Sequence, residues 1–349
     1  MAKLRITDLT EEDLKEWLIE RGHKPYRATQ LFQWLYLHRV DSWQAMSNIS
    51  QKFIEEISEA FSFPNLPIVN QAVADDGTVK FLQQLEDGKW VESVLLKHEN
   101  HYTVCISTQV GCGMACRFCL TATMGLIRDL SAGEIVEQVL NAFSLVPEGH
   151  NLRNIVYMGM GEPFNNYDNT IQSLKILLNP HSFGFSARRI TVSTSGIVPG
   201  IERFAKEEMV RPNLAISLNG VTQASRKELM PVSRRYPLED LIKACRKFPK
   251  ESRKRITFEY IMLDGITDSL SDAKKLVSLL HGIKGKVNLI PFNEHPQLKY
   301  KSSPPEAVKQ FQKFLMDHGL IATLRTSKGQ GISAACGQLA ITASAARPD

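Results

Sequence analysis

Apolar residues in the first 65 positions recur every three or four residues, as they do along one face of an amphipathic helix. Thr10 and Asp13 form a pair that is typical of a capping box and predicts a helix start. Pro64 marks the end of this pattern. We therefore expect a small N-terminal helical domain over residues 1–65. Its predicted helices begin after Thr10, near Ala28 and near Ser50.

The pattern changes to short alternating runs between residues 66 and 97. Two Asp-Gly pairs, at 76–77 and 87–88, interrupt these runs, and such pairs favour tight hairpin turns. This stretch predicts an antiparallel β extension.

Apolar strand-like runs then alternate with helical stretches. This order is typical of an α/β fold with a parallel sheet, and six such runs predict a (β/α)6 barrel or an open part of one over residues 98–330. In such barrels the chemistry lies on loops after the carboxyl ends of the strands. Residues 331–349 belong to a tail rich in small residues that begins near Ser327, and we expect this tail to be mobile. The predicted strands cover residues 102–108, 154–158, 190–194, 213–217, 256–261 and 287–290.

Composition narrows the class of protein only a little. The chain has 42 basic and 37 acidic residues, a net charge of +5 that permits a polyanionic partner without requiring one. The N-terminus is polar rather than signal-like, and no apolar run approaches the ~20 residues that cross a bilayer. We therefore expect a cytoplasmic protein with no membrane partner, in which six cysteines are more suited to metal or thiol chemistry than to disulfides.

Three of those cysteines, Cys112, Cys116 and Cys119, form a CxxxCxxC pattern directly after a predicted strand. Thiolates at this spacing can bind one iron–sulfur cluster from a single loop. A four-iron cube held by three cysteines keeps one iron open to a cofactor. The alternatives are a zinc site completed by a histidine, with His101 and His150 nearest in sequence, and three unrelated cysteines.

The cysteine pattern after the first strand of such a barrel is similar to the radical S-adenosylmethionine (SAM) superfamily. Residues 158–163, MGMGEP, resemble the glycine-rich segment of that superfamily. Over nearly its whole length the chain resembles the RlmN and Cfr type of RNA adenine methyltransferases. The segments that carry this likeness are residues 23–36, 109–125, 158–163, 188–196, 215–219, 288–293 and 334–339.

The resemblance implies a role for each matching position. It makes Cys112, Cys116 and Cys119 the ligands of a [4Fe-4S] cluster. It makes Cys336 the carrier of the methyl group, Cys105 its disulfide partner and Glu92 the proton acceptor. Without it, Cys105 would be read as a buried apolar residue and Glu92 as an ordinary strand carboxylate. The implied contacts to S-adenosylmethionine are Gly161, Glu162, Ser193, Ser217, Leu218, Asn219 and Asn293.

One departure from the family pattern lies just before the segment AACGQL. Relatives commonly have an acidic residue there, whereas this chain has Ile332 and Ser333. The sequence therefore does not indicate how the Cys336 loop is anchored, whereas the cysteine itself matches the family.

The resemblance also implies the reaction, which is methylation of carbon 2 of an adenosine in 23S rRNA and of the adenosine 3′ to the anticodon in tRNA. Residues 120–123 and 161–163 favour this branch over carbon 8 methylation of the same rRNA adenosine. A non-catalytic RNA-binding protein is the alternative from another class. An external one-electron donor, such as flavodoxin or ferredoxin, and a monomeric state are also expected. The candidate phosphate contacts are Lys24, Arg27, Arg188, Arg189, Arg234, Arg235 and residues 253–255.

Overall fold

The computed structural model describes residues 3–208, 210–249 and 255–340. Within this part of the chain, no helix is long and apolar enough to span a membrane. The helices are α1 (Glu11–Glu20), α2 (Tyr26–Phe32), α3 (Gln51–Ala60), α4 (Ala132–Leu145), α5 (Tyr167–Leu178), α6 (Val198–Phe204), α7 (Gln223–Leu229), α8 (Leu238–Lys247), α9 (Leu270–Leu280) and α10 (Pro305–Asp317).

The strands are β1 (Leu4–Arg5), β2 (Phe61–Ser62), β3 (Ile68–Val73), β4 (Val79–Gln84), β5 (Trp90–Lys97), β6 (Tyr102–Cys105), β7 (Gln109–Gly111), β8 (Leu126–Asp129), β9 (Leu152–Tyr157), β10 (Ile190–Thr194), β11 (Asn213–Ser217), β12 (Ile256–Met262), β13 (Gly285–Pro291) and β14 (Ala322–Leu324).

A ten-stranded mixed sheet, in the order β14-β13-β12-β11-β10-β9-β6-β5-β4-β3, organises the molecule. Strands β3, β4 and β5 are antiparallel, and β5 pairs antiparallel with β6, as the two Asp-Gly turns predict. From β6 onward all neighbours in the sheet are parallel. The predicted α/β fold with a partial barrel is therefore confirmed.

Two details of the predicted strands are wrong. The first strand ends at Cys105, and the chain then forms a separate hairpin of β7 and β8. A seventh parallel strand, β14, extends the sheet beyond the predicted six. It has only three residues, two of them exposed, so the apolar pattern does not reveal it.

The N-terminal unit also follows the sequence pattern closely. The predicted capping box is present, because the Thr10 side chain accepts from the Asp13 amide while the Asp13 carboxylate accepts from the Thr10 amide. The second predicted helix is α2, which continues as one π-helical stretch, Gln33–His38. Strands β1 and β2 pair in parallel and bring the ends of this unit together.

The N-terminal unit packs on the outer face of the barrel against α4 and α5. Glu137 of α4 is fully buried and accepts two hydrogen bonds of 2.9 Å from Arg5 and one of 2.5 Å from Thr7. A second contact joins Glu11 of α1 to His181, whose Nδ1 lies 2.8 Å from the carboxylate. These buried polar contacts fix the orientation of the unit against the barrel.

The described part of the tail does not behave as the sequence predicts. The Gly329 amide donates to Asp76 at 3.0 Å, and the Leu120 amide donates to the carbonyl of Gly337 at 2.8 Å. The Thr121 hydroxyl also donates to the carbonyl of Leu339 at 2.6 Å. Residues 327–340 are thus tied to two distant parts of the chain, and the expected mobility is wrong for them. Residues 341–349 lie outside the described part.

We expect Glu137→Gln to lower the free energy of unfolding by about 3 kcal/mol, because it leaves the buried Arg5 guanidinium without its main counter-charge. Urea unfolding followed by circular dichroism measures this. Glu12→Gln is the matched control, since that carboxylate is 71% exposed and should change stability by less than about 0.5 kcal/mol. An equal effect of both variants would contradict a structural role for the buried pair.

Candidate active site

The loops after the carboxyl ends of the parallel strands surround a cavity of about 470 Å³. It brings together residues that are far apart in sequence, which is the arrangement expected of an active site in an α/β barrel. Most of the predicted site residues line it. They are Cys105, Cys112, Cys116, Cys119, Gly161, Glu162, Ser193, Ser217, Asn219, Asn293 and Cys336.

The three clustered cysteines face one another across one end of this cavity. All three are free thiols. Burial raises the pKa of Cys112 to about 12, and it raises the pKa of Cys116 further above its ordinary value. The neighbouring Cys112 and Cys119 sulfurs add to the effect on Cys116. Such a set of buried thiols is stable as thiolates only when a cationic group binds between them.

The chemistry of these donors, three cysteine thiols on one loop, suits an iron–sulfur cluster. Within the described residues, no three His, Cys, Asp or Glu side chains converge closely enough to hold one metal ion. The cysteines of an iron–sulfur cube each bind a different iron, so their sulfurs lie further apart than the ligands of one zinc. The donor set therefore fits an iron–sulfur cluster.

A carboxylate lies beside the cysteines on the loop after β9. Glu162 is buried, and its oxygens accept from the amides of Ser195 at 2.6 Å and Phe164 at 3.1 Å. Burial raises its pKa. Its neighbour Gly161 has a φ of +102°, and a Cβ there would come within 2.7 Å of Gln109. Glycine thus lets this loop approach the cysteine loop and holds the carboxylate at the cavity wall.

The ends of β10 and β11 are held by a buried arginine. Arg226, 1% exposed, donates to the carbonyls of Ser195, Ser217 and Leu218. Burial lowers its pKa to about 10. Leu218 itself is fully buried and does not line the cavity, so its contribution here is its backbone.

Asn219, the next residue, has a φ of +50°. Its side-chain oxygen accepts from the Ile261 amide at 3.0 Å. Its position in the cavity wall is therefore fixed by the neighbouring strand β12.

Cys336 reaches the cavity from the C-terminal segment. Asn293 donates to the Cys336 carbonyl at 3.2 Å, and Gln338 donates to the carbonyl of Glu294 at 3.2 Å. The loop is thus anchored without the acidic residue that Ile332 and Ser333 replace.

The Cys336 sulfur shares the cavity with Cys119 and Cys105. Its charge would raise the pKa of each of these thiols, although burial is the larger cause for both. The pKa of Cys105 is raised to about 12. Cys336 is therefore near both a thiol of the cysteine loop and a second thiol.

Sequence reasoning missed Arg325, which contacts this thiol. Its guanidinium donates to the Cys336 sulfur at 3.7 Å, and its pKa is raised, first by Cys336 and then by Glu259 and Cys105. Glu259 is also buried and accepts from Asn288 at 2.7 Å. Glu259 could have been found from the sequence, because a carboxylate inside the apolar strand β12 is unusual. Arg325 directly follows β14, the strand that the sequence pattern does not predict.

Glu92 is not among the residues that line the cavity. It alternates with Val94 and Leu96, which do line it, so it points to the same side of β5. Its carboxylate pairs with Lys80 at 3.1 Å and is covered by the amide of Ala340, while burial raises its pKa. The C-terminal segment therefore separates Glu92 from the open space.

The candidate phosphate contacts are scattered. Arg27 is used locally, donating to Gln30 at 2.9 Å. Arg234 and Arg235 follow α7, whereas Arg188 and Arg189 precede β10, at the opposite end of the strands. Arg253 and Lys254 lie outside the described residues.

Two family models match the chain. "Ribosomal RNA large subunit methyltransferase N-terminal domain" matches residues 4–62, and "Radical SAM superfamily" matches residues 106–277. A dual-specificity RNA methyltransferase RlmN of Syntrophotalea carbinolica is 46% identical over 97% of this chain and 90% of that relative. One of Geobacter sulfurreducens is 45% identical over 96% of this chain and 91% of its own length.

The chain belongs to the RlmN family of radical SAM RNA methyltransferases. A radical SAM methyltransferase crystal structure from Sphaerobacter thermophilus agrees with this RlmN-type fold. It superposes with a TM-score of 0.91 at 42% identity and covers 96% of this chain and 98% of its own. The predicted family and the predicted enzyme class are both confirmed.

We expect Arg325→Gln to slow alkylation of Cys336 by iodoacetamide several-fold, because the guanidinium beside the sulfur stabilises the reactive thiolate. Peptide mass spectrometry after timed labelling gives the rate at this cysteine alone. Arg325→Lys retains the charge and should recover much of the rate. If Arg325→Gln reacts as fast as the parent protein, the contact has no electrostatic role.

Proposed function

We propose that this chain methylates carbon 2 of an adenosine in 23S rRNA and of the adenosine 3′ to the anticodon in tRNA. The observation that supports this most directly is that Cys336, the clustered cysteines and Cys105 all line one cavity. An enzyme that methylates through its own cysteine needs a thiol that can react first with the methyl donor and later with a second thiol. The named RlmN relatives support carbon 2, and no observation favours carbon 8.

In this proposal Cys112, Cys116 and Cys119 hold a [4Fe-4S] cluster and leave one iron free for S-adenosylmethionine. Glu162 would accept a hydrogen bond from the amino group of the cofactor. Ser193, Ser217, Asn219 and Asn293 would line the rest of its site, together with Gly161 and the backbone of Leu218. When bound, these groups would supply the methyl group, one electron and the radical that activates it.

The chain's own residues would perform the remaining steps. Cys336, with Arg325 beside it, is the nucleophile that takes the methyl group and later carries the carbon to the base. Glu92 would accept the proton from the ring. The Cys105 thiolate would then attack the Cys336 sulfur, so that an S–S bond forms as the carbon–sulfur bond to the RNA breaks. The electron pair of the broken bond stays on the carbon, which takes up a proton and becomes the methyl group of the product. The disulfide is the two-electron oxidised product of this step.

Several parts of this account stay predictions. They are the roles of Glu92 and the cofactor ligands, the external one-electron donor such as flavodoxin or ferredoxin, the monomeric state and the cytoplasmic location. The domain limits at residues 65, 97 and 330 also stay predictions. Residues 329–340 bind both Asp76 and Thr121, which lie in different parts of the fold. These contacts support the proposal that the segment with Cys336 acts together with the barrel.

Cys336→Ala should abolish methylation, because it removes the thiol that is proposed to carry the methyl group. Cys105→Ala should leave protein covalently attached to RNA, since the displacing sulfur is gone. Nuclease digestion with mass spectrometry detects 2-methyladenosine, and denaturing gels detect the adduct. The control is Cys245→Ala, which changes a buried cysteine of α8. It should neither abolish methylation nor leave protein attached to RNA. Methylation by Cys336→Ala, or methyl found at carbon 8, would overturn the proposal.

The release step should depend strongly on pH. Burial raises the pKa of Cys105 to about 12, so only a small fraction of this thiol is thiolate at neutral pH. As long as the pH stays below the pKa, each increase of one pH unit raises the thiolate fraction about tenfold. Single-turnover decay of the adduct should therefore accelerate between pH 7 and pH 9. A decay rate that is constant or falls over this range would contradict attack by the Cys105 thiolate.

A further inference from the structure

The cavity also reaches the amino-terminal end of the strands. His98 lines it, and residues 98–101 form the connection from β5 to β6. The cysteine loop follows β6 at the other end of the same strand. Since β6 has four residues and spans only ~13 Å, His98 and the cysteines lie at opposite ends of one continuous space.

The connection presents a pair of stacked imidazoles. The rings of His98 and His101 lie 4.6 Å apart and are inclined by only 8°. Burial lowers the pKa of both, and nearby cations lower it further, which favours the neutral form of both rings. The His98 Nε2 lies 3.1 Å from the Thr103 hydroxyl, which fixes its orientation. A fixed, neutral aromatic face suits stacking against a nucleobase.

Cations surround this pair. Arg153, Arg189 and Lys328 are all close enough to lower the pKa of His101. Arg153 lies in β9, near its start, and Arg189 directly precedes β10. Lys328 comes from the crossing segment and donates to the carbonyl of Lys97. We call His98, His101, Arg153, Arg189 and Lys328 the basic rim.

The cations of the basic rim lack acidic partners. None of the three has a carboxylate within 4 Å among the described residues, in contrast to Lys309 and Lys313 on the outer helix α10. The same turn carries one exposed carboxylate, Glu99, which the cations outnumber. Unpaired cations around an aromatic face are typical of surfaces that bind single-stranded RNA.

The cofactor site at the carboxyl ends of the strands indicates from which end of the cavity the RNA base enters. The clustered cysteines and Glu162 lie at the carboxyl ends of the strands, so the cofactors would fill that side. A base that enters the cavity from the amino-terminal ends of the strands passes His98, which lines the cavity there.

The N-terminal unit reaches this same side of the barrel. The Arg39 guanidinium lies 4.6 Å from the centre of the Phe143 ring, near the end of α4 that leads to the amino-terminal end of β9. The unit and the basic rim can therefore contact one RNA together.

We propose that the basic rim binds the backbone of the substrate RNA and that the unstacked target adenine enters the cavity there, stacked on the imidazole pair. This rests on the proposed function only in taking RNA as the substrate. It is independent of which carbon receives the methyl group.

The test compares RNA affinity in two variants that lose the same charge. One is Arg153→Gln, Arg189→Gln and Lys328→Gln, and the control is Lys274→Gln, Lys309→Gln and Lys313→Gln on the outer helices. The probe is a fluorescent RNA stem-loop with an unpaired adenosine, titrated into the anaerobically reconstituted enzyme at several salt concentrations. Losing three phosphate contacts should make the negative slope of log K against log salt less steep by about 2. It should also weaken binding at least about tenfold. The control should stay within about twofold of the parent.

Arg153→Gln alone changes one exposed side chain and should make the slope less steep by about 0.7. This single variant shows the effect even if the triple variant misfolds. Cleavage of S-adenosylmethionine without RNA should be unchanged in Arg153→Gln and in the control variant, because none of their substituted residues lines the cavity. Unchanged affinity and slope in the rim variants, or equal losses in the control, would overturn the inference. A failure of the proposed function would appear instead as the wrong methylated carbon or no methylation, with the affinity comparison intact.

Discussion

The fold leaves one side of its barrel open, and the C-terminal segment has to cover it. Seven parallel strands and an antiparallel extension form a sheet whose two edges, β14 and β3, do not pair within the described residues. From β14 the chain crosses to the extension, where Gly329 donates to Asp76 and Lys328 donates to Lys97. It then returns to the cysteine loop, where Leu120 and Thr121 bind it. This crossing carries Arg325 and Cys336 into the cavity, so the position of the Cys336 thiol depends on the closure of the fold.

The charge balance of the cavity follows from this closure. Burial raises the pKa of four of its thiols and of Glu162 and Glu259, so these groups resist ionisation in the absence of cations. Arg325 supplies one positive charge beside Cys336. Irons and a sulfonium cofactor would supply the others, which gives a physical reason for a cluster and S-adenosylmethionine to bind in the same place.

The sequence predicts those parts of the fold that depend on local pattern. The capping box of α1, the two hairpin turns and the alternation of strand and helix are encoded by residues close together in the chain. The cysteine spacing is also local. What the pattern does not encode is β14 and the crossing of residues 325–340, because their stability comes from backbone hydrogen bonds to distant elements. Arg325 was missed for the same reason, and a mobile tail was expected where an anchored one exists.

The proposed chemistry requires that three cysteines hold a four-iron cluster with one iron open to S-adenosylmethionine. Anaerobic reconstitution followed by electron paramagnetic resonance of the reduced protein, with and without the cofactor, tests this arrangement. We expect a brown protein with about four irons per chain, as three cysteines on one cube require, and a spectrum that changes when S-adenosylmethionine is added. A colourless zinc protein, or a cluster whose spectrum does not respond to the cofactor, would show that the arrangement is absent.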